Sequence, residues 1–240
     1  MYQDLKIIAI APVLNEAQKI GRVLSRVPRD VVDEVLVVDD GSTDESASVA
    51  AEYGAKVLPM GATVGVGAAL RAGFEYSLRS SFDVTVVMAG NDKDAPEEIP
   101  TLLDPIARGM LDLVQGSRYL TRAPDLGEMP RYRRVATRIH PLLFSLVARQ
   151  RMTDTTNGFR AIRRRVLEDP RLGLAQPWLD EYELEVYLLY KAIQLGYRVG
   201  EVAVTKRYPP KELGQTKMKP ITGWWSIMRP VVLLGLGLKR

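Results

Sequence analysis

The sequence predicts an α/β fold, a mostly parallel sheet flanked by helices, with more helices toward the C-terminus. Two observations predict it. Short apolar runs without alternation recur between segments of helical periodicity, as strands buried on both faces of a parallel sheet do. One of these runs, Val35–Val38, ends in Asp39-Asp40-Gly41-Ser42-Thr43-Asp44. Two adjacent carboxylates thus stand at the carboxyl end of a strand, where open α/β sheets bind ligands.

The elements follow in order. Lys6–Pro12 reads as the first strand. Glu16–Val27 carries Ile20, Val23, Leu24 and Val27 at helical spacing. After the strand Val35–Val38, Ser42 and Glu45 are spaced as a capping box opening a helix over Asp44–Tyr53. Lys56–Pro59 is a short strand, Gly67–Arg79 a helix with Ala69, Leu70, Gly73 and Phe74 inward, and Val84–Met88 a buried strand. Pro96 suits the first turn of a helix, with Glu97 and Glu98 at its positive end. Leu111–Val114 is a further strand. Beyond residue 117 a loop rich in Pro, Gly and Arg, Ser117–Arg131, leads to a helix over Tyr132–Arg149 and a turn at Thr153–Gly158. A short element at Phe159–Ile162, a helix over Trp178–Leu195 and a strand at Tyr197–Thr205 complete the series. No linker or repeat divides the chain, so residues 1–240 are expected to form one domain.

Composition narrows the chemistry. The 240 residues include no cysteine, which removes disulfides, thiolate metal sites and a thiol nucleophile. The single histidine, His140, precedes Pro141 beside an apolar run, a setting for packing or a helix start rather than catalysis. The net charge of +4 is unevenly placed: Arg131, Arg133, Arg134 and Arg138 form one cluster, Arg160, Arg163, Arg164 and Arg165 another, and Lys206, Arg207, Lys211, Lys217 and Lys219 a third. Such clusters suit phosphate-rich partners. They lack a nucleic-acid recognition motif, so nucleic acid is not the expected partner. The N-terminus has no signal-peptide pattern, and no run approaches the ~20 apolar residues of a membrane span. The expected location is cytoplasmic, peripheral at the membrane, with homo-oligomerisation left open.

The first strand runs into Ala11-Pro12-Val13-Leu14-Asn15-Glu16, without the glycine cradle of a dinucleotide fold, and no G-x-x-x-x-G-K-[ST] occurs. The segment Ala11–Glu16 together with Val37–Asp44 instead resembles the opening of the family 2 glycosyltransferases, which have the Rossmann-like GT-A fold. The branch it most resembles is the dolichol-phosphate mannose synthase type, the polyprenyl-phosphate glycosyltransferases. Gly65–Gly73, read G-V-G-A-A-L-R-A-G, resembles that family's G-x-G-x-A-x-x-x-G helix start. Gly116-Ser117-Arg118-Tyr119 resembles its G-[ST]-R-[YF] segment, and Asp154–Arg160 its D-x-x-[SN]-G-[FY]-[RK] turn. The resemblance covers residues 6–217.

It implies an inverting hexosyltransferase using a nucleotide-diphospho-sugar donor. Residues 1–117 would be the nucleotide-sugar-binding half, 118–217 the acceptor-side half, and 218–240 an amphipathic, membrane-interfacial tail. Pro12, Asn15, Glu16 and Gly65 would line the nucleotide pocket, with Asp40 on the base or ribose and Asp39 supporting it. Family members usually place D-x-D after the fourth strand, holding a divalent ion against the diphosphate. Registered on Pro96-Glu97, those aspartates fall on Ala89 and Asn91, and the position two further on is Lys93. Two readings follow: Asn91 with Asp92 or Asp94 still binds Mg²⁺ or Mn²⁺, the reading preferred on sequence, or Lys93 supplies the positive charge. Departure of the diphosphate needs cations. Arg118 is the leading candidate, followed by Arg131, while Arg160 could contact a phosphate or pair with Asp154.

The acceptor decides whether a base is needed. A glycan or lipid hydroxyl requires one, and Asp180 and Glu181 are the candidates. A polyprenyl or dolichyl phosphate is already anionic and requires none. Tyr208–Lys217 resembles the family's acceptor-phosphate segment, with Lys217 matching its lysine, and Trp224-Trp225 between Lys219 and Arg229 suits a membrane interface. Polyprenyl phosphate is therefore the expected acceptor, with a glycan or lipid hydroxyl as alternative. A nucleotide-sugar-binding protein with impaired catalysis is the other alternative.

Overall fold

The computed structural model describes residues 1–121, 126–208 and 222–239. Seven strands form one sheet: β1 (Ile7–Val13), β2 (Glu34–Asp39), β3 (Lys56–Pro59), β4 (Val84–Val87), β5 (Leu113–Ser117), β6 (Arg160–Arg163) and β7 (Val199–Ala203). Their order is β3-β2-β1-β4-β6-β5-β7. All pairings are parallel except those of β6, which runs antiparallel to both β4 and β5. The helices are α1 (Ala17–Ser25), α2 (Ser46–Glu52), α3 (Val66–Arg79), α4 (Ile99–Ala107), α5 (Arg131–Ala148), α6 (Arg164–Leu167), α7 (Glu183–Gln194) and α8 (Thr222–Gly235). Among the described residues none is long and apolar enough to cross a membrane.

Strand alternation builds two cores. Ile8, Ile10, Leu36 and Val38 face one side, where they join residues of α3, α5, α7 and α8. Ile7, Ala9, Val35 and Val37 face the other and pack with residues of α1, α2 and α4. A strand with both faces buried has no polar side to show, which is why these runs read as continuous hydrophobic segments.

Local chemistry shifts several predicted boundaries. The capping box does not form: Ser42 Oγ accepts from the Asn15 amide at 2.9 Å, and α2 starts at Ser46, whose amide donates to Asp44 Oδ1 at 3.0 Å. β5 starts later than expected and continues through Gly116-Ser117, because β7 pairs with it to Ser117–Ala203. The helix expected from Trp178 begins at Glu183, since the preceding residues bind the start of α3: the Ala68 amide donates to the Asp180 carbonyl at 3.0 Å.

Candidate active site

The carboxyl ends of β1, β2, β4 and β5 open into a cavity of about 640 Å³, closed on its other sides by α3, α5, α7 and α8. The β1–α1 loop is fixed to the β2–α2 loop through Asn15. This residue sits at φ 50°, a left-handed conformation asparagine tolerates, and its Oδ1 accepts from the Thr43 amide at 2.7 Å. Asn15 thus shapes the wall from outside, while Pro12 and Glu16 line it. The Glu16 carboxylate lies 2.8 Å from Lys19 Nζ, which also faces the cavity.

Asp39 and Asp40 divide their work. Asp39 Oδ1 accepts from the Ser42 amide at 3.0 Å and closes the turn. Asp40 lines the cavity and accepts from the amides of Val64 at 2.8 Å and Gly65 at 3.1 Å, anchoring the start of α3. Gly65 has φ 111°, and a Cβ there would lie 2.3 Å from the Asp180 carbonyl oxygen; at Gly67 it would lie 2.0 Å from that of Leu179. Both glycines are thus required by the close approach of the segment before α7. That approach brings Glu181 and Tyr182 into the cavity, while Asp180 is held in an ion pair with Arg71.

The two predicted arginines line the cavity but are bound by the protein. Arg118 grips Asp154 through Nε at 2.5 Å and a second nitrogen at 2.7 Å, with 2% of the arginine exposed. Burial opposes both charges, yet their mutual attraction wins: the Asp154 carboxyl is held below the usual range and the Arg118 guanidinium above it. Asp154 therefore pairs with Arg118 and not with Arg160. Arg160 donates to the Glu185 carbonyl at 2.8 Å and lies 3.3 Å from its carboxylate. Arg131 is exposed on the outer side of α5 and is not part of the cavity lining. Lys217 lies outside the described residues.

In the α5 cluster it is Arg133, not the expected Arg131, that faces the cavity. Arg133, Thr137 and His140 form the inward i, i+4, i+7 stripe, continued by Phe144 and Ala148. Arg133 reaches the cavity, 5.4 Å from the centre of the Tyr208 ring. Lys206 is the other residue overlooked. It donates to Asp94 Oδ1 at 2.5 Å and to Asn157 Oδ1 at 2.9 Å, and the 206–207 backbone is bridged to 93–94. The signal was its place directly after a predicted strand. Lys93 lies beside them, 5.1 Å from the same Tyr208 ring. Burial, then the neighbouring Lys206 and Arg133, push its ammonium down to about 7.

The residues expected to hold a metal do not converge. Asp92 pairs with Arg26 at 2.5 Å. Asp94 is satisfied by Lys206 and by the Ala89 amide at 2.8 Å. Of these three side chains, Asn91 alone has a buried oxygen, Oδ1, without a hydrogen-bond partner. One amide oxygen amid lysines does not fit a Mg²⁺ or Mn²⁺ ion, which is bound through carboxylate oxygens. Among the described residues no group of three metal-ligating acidic or histidine side chains occurs.

Comparison with known proteins identifies the architecture. The profile of glycosyl transferase family 2 matches residues 8–170. This chain belongs to that family. The family 2 chain is 33% identical over 218 residues to a polyprenol monophosphomannose synthase of Mycolicibacterium smegmatis, covering 88% of this chain and 80% of the relative. It is 33% identical to an undecaprenyl-phosphate mannosyltransferase of Micrococcus luteus, over 89% of this chain and 88% of the relative. It is 32% identical to a dolichyl-phosphate hexose transferase of Haloferax volcanii, over 96% and 93%. These relatives place it in the polyprenyl-phosphate branch as a hexosyltransferase. The fold is GT-A: glucosyl-3-phosphoglycerate synthase of Mycobacterium tuberculosis, solved with Mn²⁺ and UDP-glucose, superposes with a TM-score of 0.70 at 22% identity, covering 98% of this chain and 79% of that one.

Proposed function

We propose that this family 2 chain transfers a hexose, with inversion, from a nucleotide-diphospho-sugar to the phosphate of a polyprenyl carrier. The observation that carries the reading is the make-up of the cavity. Acceptor-only carboxylates, Glu16 and Asp40, stand after β1 and β2, while Lys93, Lys206 and Arg133 gather around the end of β4. Carboxylates suit the hydroxyl and N–H groups of a nucleoside, and cations suit phosphates. The relatives named for polyprenyl-phosphate substrates support the acceptor. A phosphate oxygen is already a nucleophile and needs no proton removed, which agrees with Asp180 being held by Arg71 rather than poised as a base.

Peripheral contact with a membrane belongs to the same reading. α5 presents Val135, Ile139, Leu142 and Leu146 to solvent, between 48% and 77% exposed. At about 100° per residue these fall on one stripe opposite the buried face, with Arg131, Arg134 and Arg138 along its flank. α8, packed against α5, exposes Trp225 and Val232, with Leu236 exposed just past its end. Apolar stripes edged by arginine suit an anionic lipid surface.

The test is transfer of labelled hexose from GDP-mannose and from UDP-glucose in vesicles containing either undecaprenyl phosphate or undecaprenol. Label should enter the lipid with one donor, only where the phosphate is present, and the rate should fall at least tenfold in Asp40→Asn. Labelling of undecaprenol would favour a hydroxyl acceptor, and tight donor binding with no transfer would favour a binding protein.

A further inference from the structure

We propose that Lys93, Lys206 and Arg133 together replace the divalent ion, so that this chain binds and discharges the donor diphosphate without a metal. The proposal rests on the reading of the cavity as a nucleotide-sugar site.

Three observations carry it. First, the carboxylates that would hold an ion are replaced or committed. Ala89 has no ligand atom in its side chain, and Asp94 is taken by Lys206 Nζ at 2.5 Å and by the Ala89 amide. Second, the three cations are brought to one place by the fold. The bridge between 93–94 and 206–207 sets the two lysines on adjacent backbones, and Lys93 and Arg133 both lie against the Tyr208 ring, at 5.1 and 5.4 Å. Asp94 is ion-paired with Lys206 at 2.5 Å and Glu16 with Lys19 at 2.8 Å, and a bound diphosphate would hold the Lys93 ammonium in its charged form. Third, the cluster is buried and incompletely satisfied. Lys93, Lys206 and Arg133 are 7%, 8% and 9% exposed, and Arg133 Nε has no hydrogen-bond partner. A buried N–H donor without an acceptor is unfavourable, and a phosphate oxygen in the cavity would satisfy it.

The chemistry balances without an ion or a proton transfer. An acceptor phosphate oxygen forms the bond to the anomeric carbon, and the bond from that carbon to the β-phosphate oxygen breaks. The electron pair stays with the departing nucleoside diphosphate, which thereby gains one negative charge, facing cations fixed before the reaction begins.

Calorimetric titration of inorganic pyrophosphate, UDP and GDP tests this, in chelator and in excess Mn²⁺, with manganese EPR on the same samples. Pyrophosphate is common to all such donors, so its binding reads the cluster without regard to the base or the acceptor. Binding in chelator should equal that in Mn²⁺ within about threefold, weaken roughly tenfold to a hundredfold in Lys93→Met and in Arg133→Met, and give no protein-bound manganese signal. Circular dichroism checks that each variant folds, and a variant that does not is replaced by Lys206→Met. Absence of pyrophosphate binding in chelator, tightening of tenfold or more by Mn²⁺, or unchanged affinity in folded variants would overturn the proposal. Those results would leave the acceptor reading standing, just as transfer to a hydroxyl would leave this one.

Discussion

At the scale of single residues, buried charge does more structural work than the motifs suggested. Asp154 is fully buried and its two oxygens hold Arg118. Removing it leaves an uncompensated guanidinium in the interior, so Asp154→Ala should lose about 3–5 kcal/mol of stability in urea denaturation. His140 gives a second prediction. Its Nε2 lies 3.1 Å from the Ile227 carbonyl, which can only accept, so Nε2 carries a proton; in the neutral ring Nδ1, at 2.6 Å, accepts from Thr155 Oγ1. Burial lowers its pKa below 6.5. The unfolded chain therefore takes up this proton first as pH falls. The stabilising contribution is complete above pH 6.5 and is lost below it, by at most about 1.4 kcal/mol per pH unit. Unfolding midpoints of the wild type and His140→Gln should diverge least near pH 5 and most near pH 7.5. As the only histidine, its ring resonances report its pKa directly by NMR.

At the scale of elements, α3 and the segment before α7 act as one unit. Gly67→Ala would drive a Cβ to 2.0 Å from the Leu179 carbonyl, backbone against side chain with no flexible end to yield. The expected cost is about 1–3 kcal/mol, with weaker nucleotide binding because Glu181 and Tyr182 move with that segment. A thermal melt with and without UDP or GDP checks both effects. These elements also show what was legible. Strands β1, β2 and β4 were readable because burial on both faces leaves an unbroken apolar run. The antiparallel setting of β6 was not, since Arg160–Arg163 has two arginines whose partners come from distant elements: Glu185 for Arg160 and the Ile106 carbonyl for Arg163. Helix α5 was readable from its length, but its register decided the site. Arg131 and Arg133 differ by two positions, about 200° around the helix, and only the inward stripe through Thr137 and His140 tells them apart. Likewise, Asp94 looked like a metal ligand in sequence because its partner Lys206 lies 112 residues away.

At the scale of the whole molecule, the sheet presents one cavity to α5 and α8, and those helices turn apolar stripes outward. Leu142→Glu with Leu146→Glu should reduce flotation with anionic vesicles severalfold. Both side chains are exposed, so the urea midpoint should stay near that of the wild type. The branch was legible as a resemblance because its motifs fall in order along the chain. The roles of Asn91–Asp94 were not, because the sequence offers two carboxylates and a lysine side by side there and only the fold shows how they are committed. The central claim is that an acceptor phosphate oxygen attacks the anomeric carbon. Its most direct test is to identify both products of one turnover, the released nucleotide by chromatography and the lipid by ³¹P NMR. The account predicts a nucleoside diphosphate and a lipid-linked phosphodiester. A nucleoside monophosphate with a lipid pyrophosphate, or a sugar carried on a hydroxyl with the polyprenyl phosphate unchanged, would contradict it.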